Sequence, residues 1–420
     1  MQPAVRMIHI IIKVPLSGHK RLRHSEMGSV SAIRIGSYRG HGLITKFLKE
    51  SAESFTDIGY AFPGRYRGST IVHYDCYERG QSVESLCLGQ RFERLAVIFQ
   101  QINPELLNLF SLFLVLYRQS LTHKKYDILV VTSLSPVAFL LRILRVARRT
   151  VLVSDDVYKI EGSLFNRIIK SYLTLAEKYF HNATSEVWYA STALLLLKRR
   201  QRIVRNARVR RRVVPHGVDL SWSKWRQEHG VEDGVVAYFG AVVPNRGLEI
   251  LIDSMSNLVK VMPQAKLRIV GDSEPSYEVK LRKRVRALNL DEHVKFVEPG
   301  VTDAEDLASI ANCSIGCAIY DSRQLSILYT DSSKIKKYLG CGLPIVMSDR
   351  LPYARELVNS GVALAVENEA PSVTQALAKI LSDKNLQLRM STAAISYGSR
   401  FEYQTVYNEA FESLLAYMHS

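Results

Sequence analysis

Five cysteines in 420 residues, Cys76, Cys87, Cys313, Cys317 and Cys341, are odd in number and lack paired metal-type spacing, which argues against a disulfide framework or a thiolate metal site. Reduced thiols in a cytoplasmic protein are the expectation. Long apolar runs are also missing. The most apolar stretch, Leu106 to Tyr117, has only 12 residues; it is too short to span a bilayer and reads as a buried or interfacial helix. The first 18 residues hold an apolar run without a small-residue cleavage site, which suits a strand better than a secretion signal. No Asp-x-Asp pair stands at a strand end to hold a divalent ion, so no metal is expected. Acidic side chains are outnumbered 40 to 56 by lysine and arginine, a net +16 that implies an anionic partner: nucleic acid, an acidic membrane or a phosphorylated substrate.

What the chain has is a repeated alternation of apolar strands and helices. "YDILVVTSLSP" (from Tyr126) and "RRTVLVSDD" (from Arg148) flank the helical "VAFLLRILRVA", and "EVWYAST" and "RRVVPHGVD" follow as strands. Beyond Gly234, "GVVAYFGAV", "AKLRIVGD", "VKFVEP", "SIGCAIY" and "GLPIVMSD" repeat the pattern, with helices expected around 248–261, 278–288, 304–311 and 333–338. Continuous apolar strands belong to parallel sheets covered on both faces. At this length two cores of about 200 residues each are natural. The expected architecture is α/β, two doubly wound Rossmann-like domains facing a cleft: 1–220, then 234–395, with a final helical segment 396–420 packing back on the first domain. The polar stretch Ser221 to Gly234 reads as the join, and the first hundred residues carry no legible motif.

In open α/β sheets ligands bind beyond the carboxyl ends of the strands. "FGAVVPNRG", "VGDSEP", "IYDSRQ" and "YTDSSK" all stand at such ends, and "VLVSDD" and "VVPHGVD" at the equivalent ends of the first domain. Ser332 and Ser333 open a helix whose free N–H groups favour phosphate, with Lys334 adding a cation at its mouth. Arg246 precedes a helix, where a cation opposes the macrodipole unless an anion is near. Of the two carboxylates ending the "VLVSDD" strand, Asp155 is assigned to the cleft as a base and Asp156 to capping. His216 and Asp219 of "PHGVD" lie at the cleft edge. Lys198 to Arg212 holds nine lysines and arginines and suggests a basic collar for an anionic leaflet or a lipid diphosphate.

"FGAVVPNRGLEILIDSM", "LRIVGD", "VKFVEPG", "KKYLGCGLPIVMSD" and "PHGVD", in this order, resemble the nucleotide-sugar glycosyltransferases of the GT-B architecture, particularly family four. Retaining members carry two glutamates where this chain has Tyr329 and Lys337. The stretch is closer to the inverting glucuronosyltransferase of xanthan-type exopolysaccharide synthesis. That resemblance implies Asp155 as catalytic base. It implies a donor set of Lys334, Ser332, Ser333, Arg246, Tyr320, Gly240 and Tyr338, with His216, Gly217 and Asp219 near the sugar or its phosphate. It further implies no cofactor or metal, a UDP-linked donor, a uronic acid if Lys336 and Lys337 also face it, and a lipid-linked or glycan acceptor at the inner face of the cell membrane. Two rivals stay open on the residues alone: a nucleic-acid-binding protein using the basic run, although aromatic interleaving and a known module are lacking, and a nucleotide-sugar epimerase of the same architecture.

Overall fold

The computed structural model describes residues 30–37, 42–60, 72–88, 125–132, 134, 136–155, 157, 164–297, 303–320, 328, 329 and 331–419. The N-terminal apolar run, the stretch 106–117 and Asp156 lie outside the described residues.

The first sheet is built from β1 (Ser31–Ser37), β2 (Ser54–Tyr60), β3 (Val72–Glu78), β4 (Gln81–Leu88), β5 (Tyr126–Val131), β6 (Ala147–Ser154), β7 (Glu186–Tyr189) and β8 (Arg210–Val213), in the order β4-β3-β2-β1-β5-β6-β7-β8. Strands β2, β1, β5, β6, β7 and β8 run parallel. The other two form an antiparallel edge on β2, a feature that a purely doubly wound reading does not contain. The β3–β4 hairpin turns on Arg79 and Gly80, both at positive φ (47° and 80°), the backbone that a two-residue hairpin loop requires.

The second sheet comprises β9 (Glu232–Phe239), β10 (Lys266–Val270), β11 (Val294–Val297), β12 (Cys313–Ala318), β13 (Ile345–Ser348) and β14 (Ala363–Val366), all parallel, in the order β11-β10-β9-β12-β13-β14. The order reverses between β9 and β12. At such a point the connecting loops diverge to opposite faces and leave a crevice. Buried apolar residues cover both faces: Val236, Leu251, Met255, Leu281 and Leu377 on one, Ala237, Ile310, Leu339, Ile345 and Met347 on the other.

Two of the helices bear on domain organisation. The stretch expected to be a join forms the helix Ser221–His229, whose buried Arg226 donates to the carbonyls of Ala311 (2.8 Å) and Cys313; it is a packed part of the second domain, because that guanidinium caps backbone groups at the start of β12. The last helix, Tyr403–His419, lies against the helix Gly42–Ser51: Phe411 stacks on Phe47 (centroids 5.5 Å apart) and meets Trp188 edge-on (4.8 Å).

The chain therefore crosses between domains twice, and the crossings are paired. Val218 N–H donates to Phe401 O (2.6 Å) and Tyr403 N–H to Val218 O (3.0 Å). Beside them Lys46 reaches from the first domain to Asp219, 2.6 Å away. Among the described residues, no helix is long and apolar enough to cross a membrane.

Candidate active site

At the switch point, the loops following β9 and β10 touch. Val242 N–H donates to Asp272 O (2.7 Å), and Gly240 and Gly271 approach so closely that a Cβ on Gly271 would run into the Gly240 carbonyl. Both glycines have positive φ, 129° and 146°. Their missing side chains leave room for Lys334, whose Cε would stand 3.3 Å from a Cβ on Gly240.

Lys334 enters from the helix Ser333–Gly340, where Ser332 is the N-cap and its hydroxyl accepts from Ile335 N–H (3.4 Å). Its Nζ is buried with no hydrogen-bond partner and lies over the Tyr238 ring, 3.7 Å from the centroid, and 5.1 Å from that of Tyr320. Burial first, and then the Arg246 guanidinium, push its pKa well below the ordinary lysine value. The buried Nε of Arg246 is likewise without a partner, and its guanidinium carbon lies 5.9 Å from the Tyr320 ring. Two buried donors without partners, Lys334 Nζ and Arg246 Nε, thus belong to side chains beside the same Tyr320 ring. Unmet buried donors of this kind are costly, and an anion would satisfy both.

Tyr320 is fixed on every side. Its N–H donates to Ser348 Oγ (2.9 Å), its carbonyl accepts from Asn368, and its hydroxyl meets Ser332 Oγ at 3.2 Å. Ser333 is exposed at the first turn of the helix. These residues, with Gly240, Arg246 and Lys334, gather at the crevice.

Other expected positions have different work. Tyr338 is fully buried, and its hydroxyl lies against Ala237 O (3.3 Å), Cys317 O (2.9 Å) and Phe239 N–H (2.9 Å), so it ties β9 to β12 and has nothing left for a ligand. Lys336 pairs with Asp331 (3.5 Å) and lies 3.3 Å from the Phe401 ring centroid, while Lys337 sits over Phe239 (4.3 Å). Both are engaged away from Lys334, in keeping with helix geometry that cannot point three such lysines into one site, and they lend no support to a carboxylate-bearing donor. Gly217 packs against the last helix, where a Cβ would fall 2.5 Å from that of Tyr403, and its N–H donates to Tyr407 Oη (3.4 Å). Asp219 stands beside the paired crossings between the domains: burial opposes its ionisation, but Lys46 and the Ser221 donors outweigh this and hold its carboxyl below the usual value.

Asp155 follows β6 at the facing end of the first sheet. Burial raises its pKa, and the charges of His216 and Lys198 act in the opposite direction. A carboxyl raised in this way is a better proton acceptor near neutrality than an ordinary one. His216 N–H donates to Asp331 Oδ2 (2.9 Å), a contact across the domains that the sequence did not announce. A second crossing joins Ser191 Oγ to the Tyr329 carbonyl.

The basic run divides. Lys198 is buried against Glu177; Arg210 and Arg212 face Glu186 (3.6 and 3.4 Å) and the last helix at Ser413; Arg211 donates to the carbonyls of Val209 and Asn206. These four are committed internally, so the collar is narrower than its sequence suggests. Arg199, Arg200, Arg202, Arg205 and Arg208 remain exposed.

Comparison with known proteins bears on the second domain and on the fold. Residues 223–397 match the family model described as glycosyl transferases group 1. Among curated proteins, D-inositol 3-phosphate glycosyltransferase of Corynebacterium efficiens is 24% identical over 203 residues, 44% of each chain. Mannosylfructose-phosphate synthase of Agrobacterium fabrum is 33% identical over 91 residues, 20% of each. The chain spans less than half the length of these curated relatives. Among solved structures, HepE of Anabaena in complex with UDP superposes with a TM-score of 0.58 at 17% identity, over 92% of this chain and 100% of the other. Sucrose-phosphate synthase of Thermosynechococcus elongatus gives 0.61 at 14%, over 92% and 98%. At such identities the likeness speaks for the fold. The protein has the two-domain GT-B fold, and its residues 223–397 match the glycosyl transferases group 1 model.

Proposed function

We propose that this protein transfers a sugar from a nucleotide diphosphate donor, UDP-linked, to a lipid-linked or glycan hydroxyl, with inversion and without a metal. The observation that carries the reading is the pair of unsatisfied buried donors, Lys334 Nζ and Arg246 Nε, beside the helix N-terminus at Ser332 and Ser333. A leaving diphosphate needs such a set, since the bond to the anomeric carbon breaks as negative charge moves onto its oxygen. The HepE structure holds UDP, which supports the choice of nucleotide.

The acceptor oxygen attacks the anomeric carbon from the side opposite the diphosphate and loses its proton to Asp155. The C–O bond to phosphate breaks, and the diphosphate stays with Lys334 and Arg246. One displacement inverts the configuration. Tyr329 and Lys337, at the positions of the two glutamates in the retaining family members, supply no carboxylate for the other course. The donor's sugar, uronic or neutral, is left to product analysis now that Lys336 and Lys337 are engaged elsewhere. The five exposed arginines of the run, with half-exposed Leu196, support contact with an anionic leaflet at the inner face of the membrane. The nucleic-acid reading has lost four of its nine cations to internal pairing, and an epimerase would call for a set of carboxylates around the sugar rather than a basic collar.

The test is incubation with a panel of nucleotide sugars and a lipid-diphosphate acceptor, with product mass read first and then the anomeric coupling constant by NMR. A β-linked product from an α-linked UDP-sugar, formed equally in the presence of a chelator, is expected. An α-linked product removes the inverting mechanism, and chelator sensitivity removes metal independence. Failure to bind UDP, GDP or ADP removes the enzyme reading.

A further inference from the structure

One contact joins the two sides of the proposed site while leaving both ligand positions free. Asp331 stands immediately before the Ser332 N-cap, on the second domain. Its Oδ2 accepts the backbone N–H of His216 at 2.9 Å, on the segment that leaves the first sheet, and its carboxylate pairs with Lys336 at 3.5 Å. The side chain is 16% exposed, so the carboxylate is largely shielded from competing water. Hydrogen bonds to an ionised acceptor are roughly twice as strong as neutral ones.

The "PHG" turn is thus gripped by two side chains. Tyr407 holds Gly217 N–H from the last helix, which is packed on the first domain, and Asp331 holds His216 N–H from the loop that opens the phosphate-binding helix. The first grip is fixed to the acceptor domain. The second moves with the loop on which the leaving diphosphate would sit. His216 in turn stands close enough to Asp155 for its charge to act on that carboxyl.

We propose that Asp331 is a positioning residue that ties the phosphate loop to His216, so that a diphosphate seated at Ser332–Lys334 also fixes the imidazole beside Asp155. The inference rests on the glycosyl-transfer reading and adds to it a coupling between donor occupancy and the acceptor-side base. Such coupling is reciprocal: occupancy on the acceptor side would tighten the nucleotide. Lys336, 3.5 Å away, keeps the carboxylate aimed.

Hydrogen exchange of the segment 214–219, with and without saturating UDP, tests this together with steady-state kinetics. In the wild type UDP is expected to slow exchange at the His216 amide. In D331A exchange there should be fast with or without UDP, while UDP affinity and donor KM stay within about threefold and kcat falls about tenfold or more. D331N, whose Oδ1 still accepts the N–H, should keep the UDP-dependent protection and recover most of kcat. UDP protecting the segment in D331A as in the wild type would overturn the coupling while leaving the enzyme reading intact, as would loss of protection in D331N. A wild type that binds none of UDP, GDP or ADP overturns both.

Discussion

Replacing Lys334 by methionine separates what the residue costs from what it does. In the donor-free protein its Nζ is buried without a hydrogen bond, a penalty of about 1–3 kcal/mol, partly offset by its place over the Tyr238 ring, worth about 0.5–2 kcal/mol. Methionine has nearly the same length, no charge, and fills irregular space readily. The net stabilisation should be about 1 kcal/mol, or about 2–4 °C in the melting temperature of a domain this size. Binding should move the other way. Loss of a charge-assisted bond to the diphosphate, about 1.5–3 kcal/mol, weakens UDP by about 10- to 150-fold. The folded-state pKa of Lys334 is depressed, so the native protein holds fewer protons than the unfolded chain between that value and lysine's ordinary one. Stability contributed at this site therefore rises with pH, and the advantage of the methionine variant should shrink from neutral towards alkaline conditions. Thermal melts without nucleotide, over a pH series, and calorimetric titration with UDP read both effects. A variant that melts lower yet binds UDP as tightly would refute the assignment of Lys334 as an unsatisfied ligand.

Three further outcomes follow from the geometry. Asp155→Asn should lower turnover about 10²- to 10⁴-fold with nearly unchanged UDP affinity, measured by product formation alongside calorimetry; near-normal turnover would remove the base from Asp155. Glu402 at the paired crossings, its Oε2 buried without a partner, has its pKa raised to about 7 by burial and then by Asp219, against the pull of Lys46. Its folded value exceeds its unfolded one, so stability present below the unfolded pKa is lost as pH rises towards 7, and Glu402→Gln should flatten that decline in melts from pH 4 to 8. Gly217→Ala places a methyl against Tyr403 and should cost about 1–3 kcal/mol, seen as a lower denaturant midpoint.

The second domain was legible in the sequence because its strands are continuous apolar runs: β9, β12 and β13 are buried almost along their whole length. Ser332 and Lys334 were legible for a local reason, since an N-cap and the residues after it are neighbours in the chain. Tyr338 was misread because its surroundings come from β9 and β12, remote in sequence and invisible to spacing. Helix direction alone excludes all three lysines from one site but does not say where the other two go: the partners of Lys336 and Lys337, Asp331, Phe401 and Phe239, come together only in the fold. Asp331 and His216 lie 115 positions apart, and no local pattern announces their bond. The antiparallel edge did leave a signal, "YERGQS", in which Gly80 follows a residue of positive φ. The helix Ser221–His229 was hidden by its polar composition, since the two tryptophans that pack on the core, Trp222 and Trp225, are set among charged residues and the buried anchor beside them is Arg226.

The place of the last helix has a consequence for synthesis. Phe411, Leu414 and Leu415 belong to the same apolar cluster as Phe47, Leu48, Val130 and Trp188. A nascent chain lacking residues 403–419 would leave that face of the first sheet uncovered, although its strands left the ribosome long before. The second domain, contained between 221 and 398, can close its own core first. Vectorial synthesis then inverts the order of maturation: the domain made first is finished last, and until then its open face is a surface for a chaperone to shield.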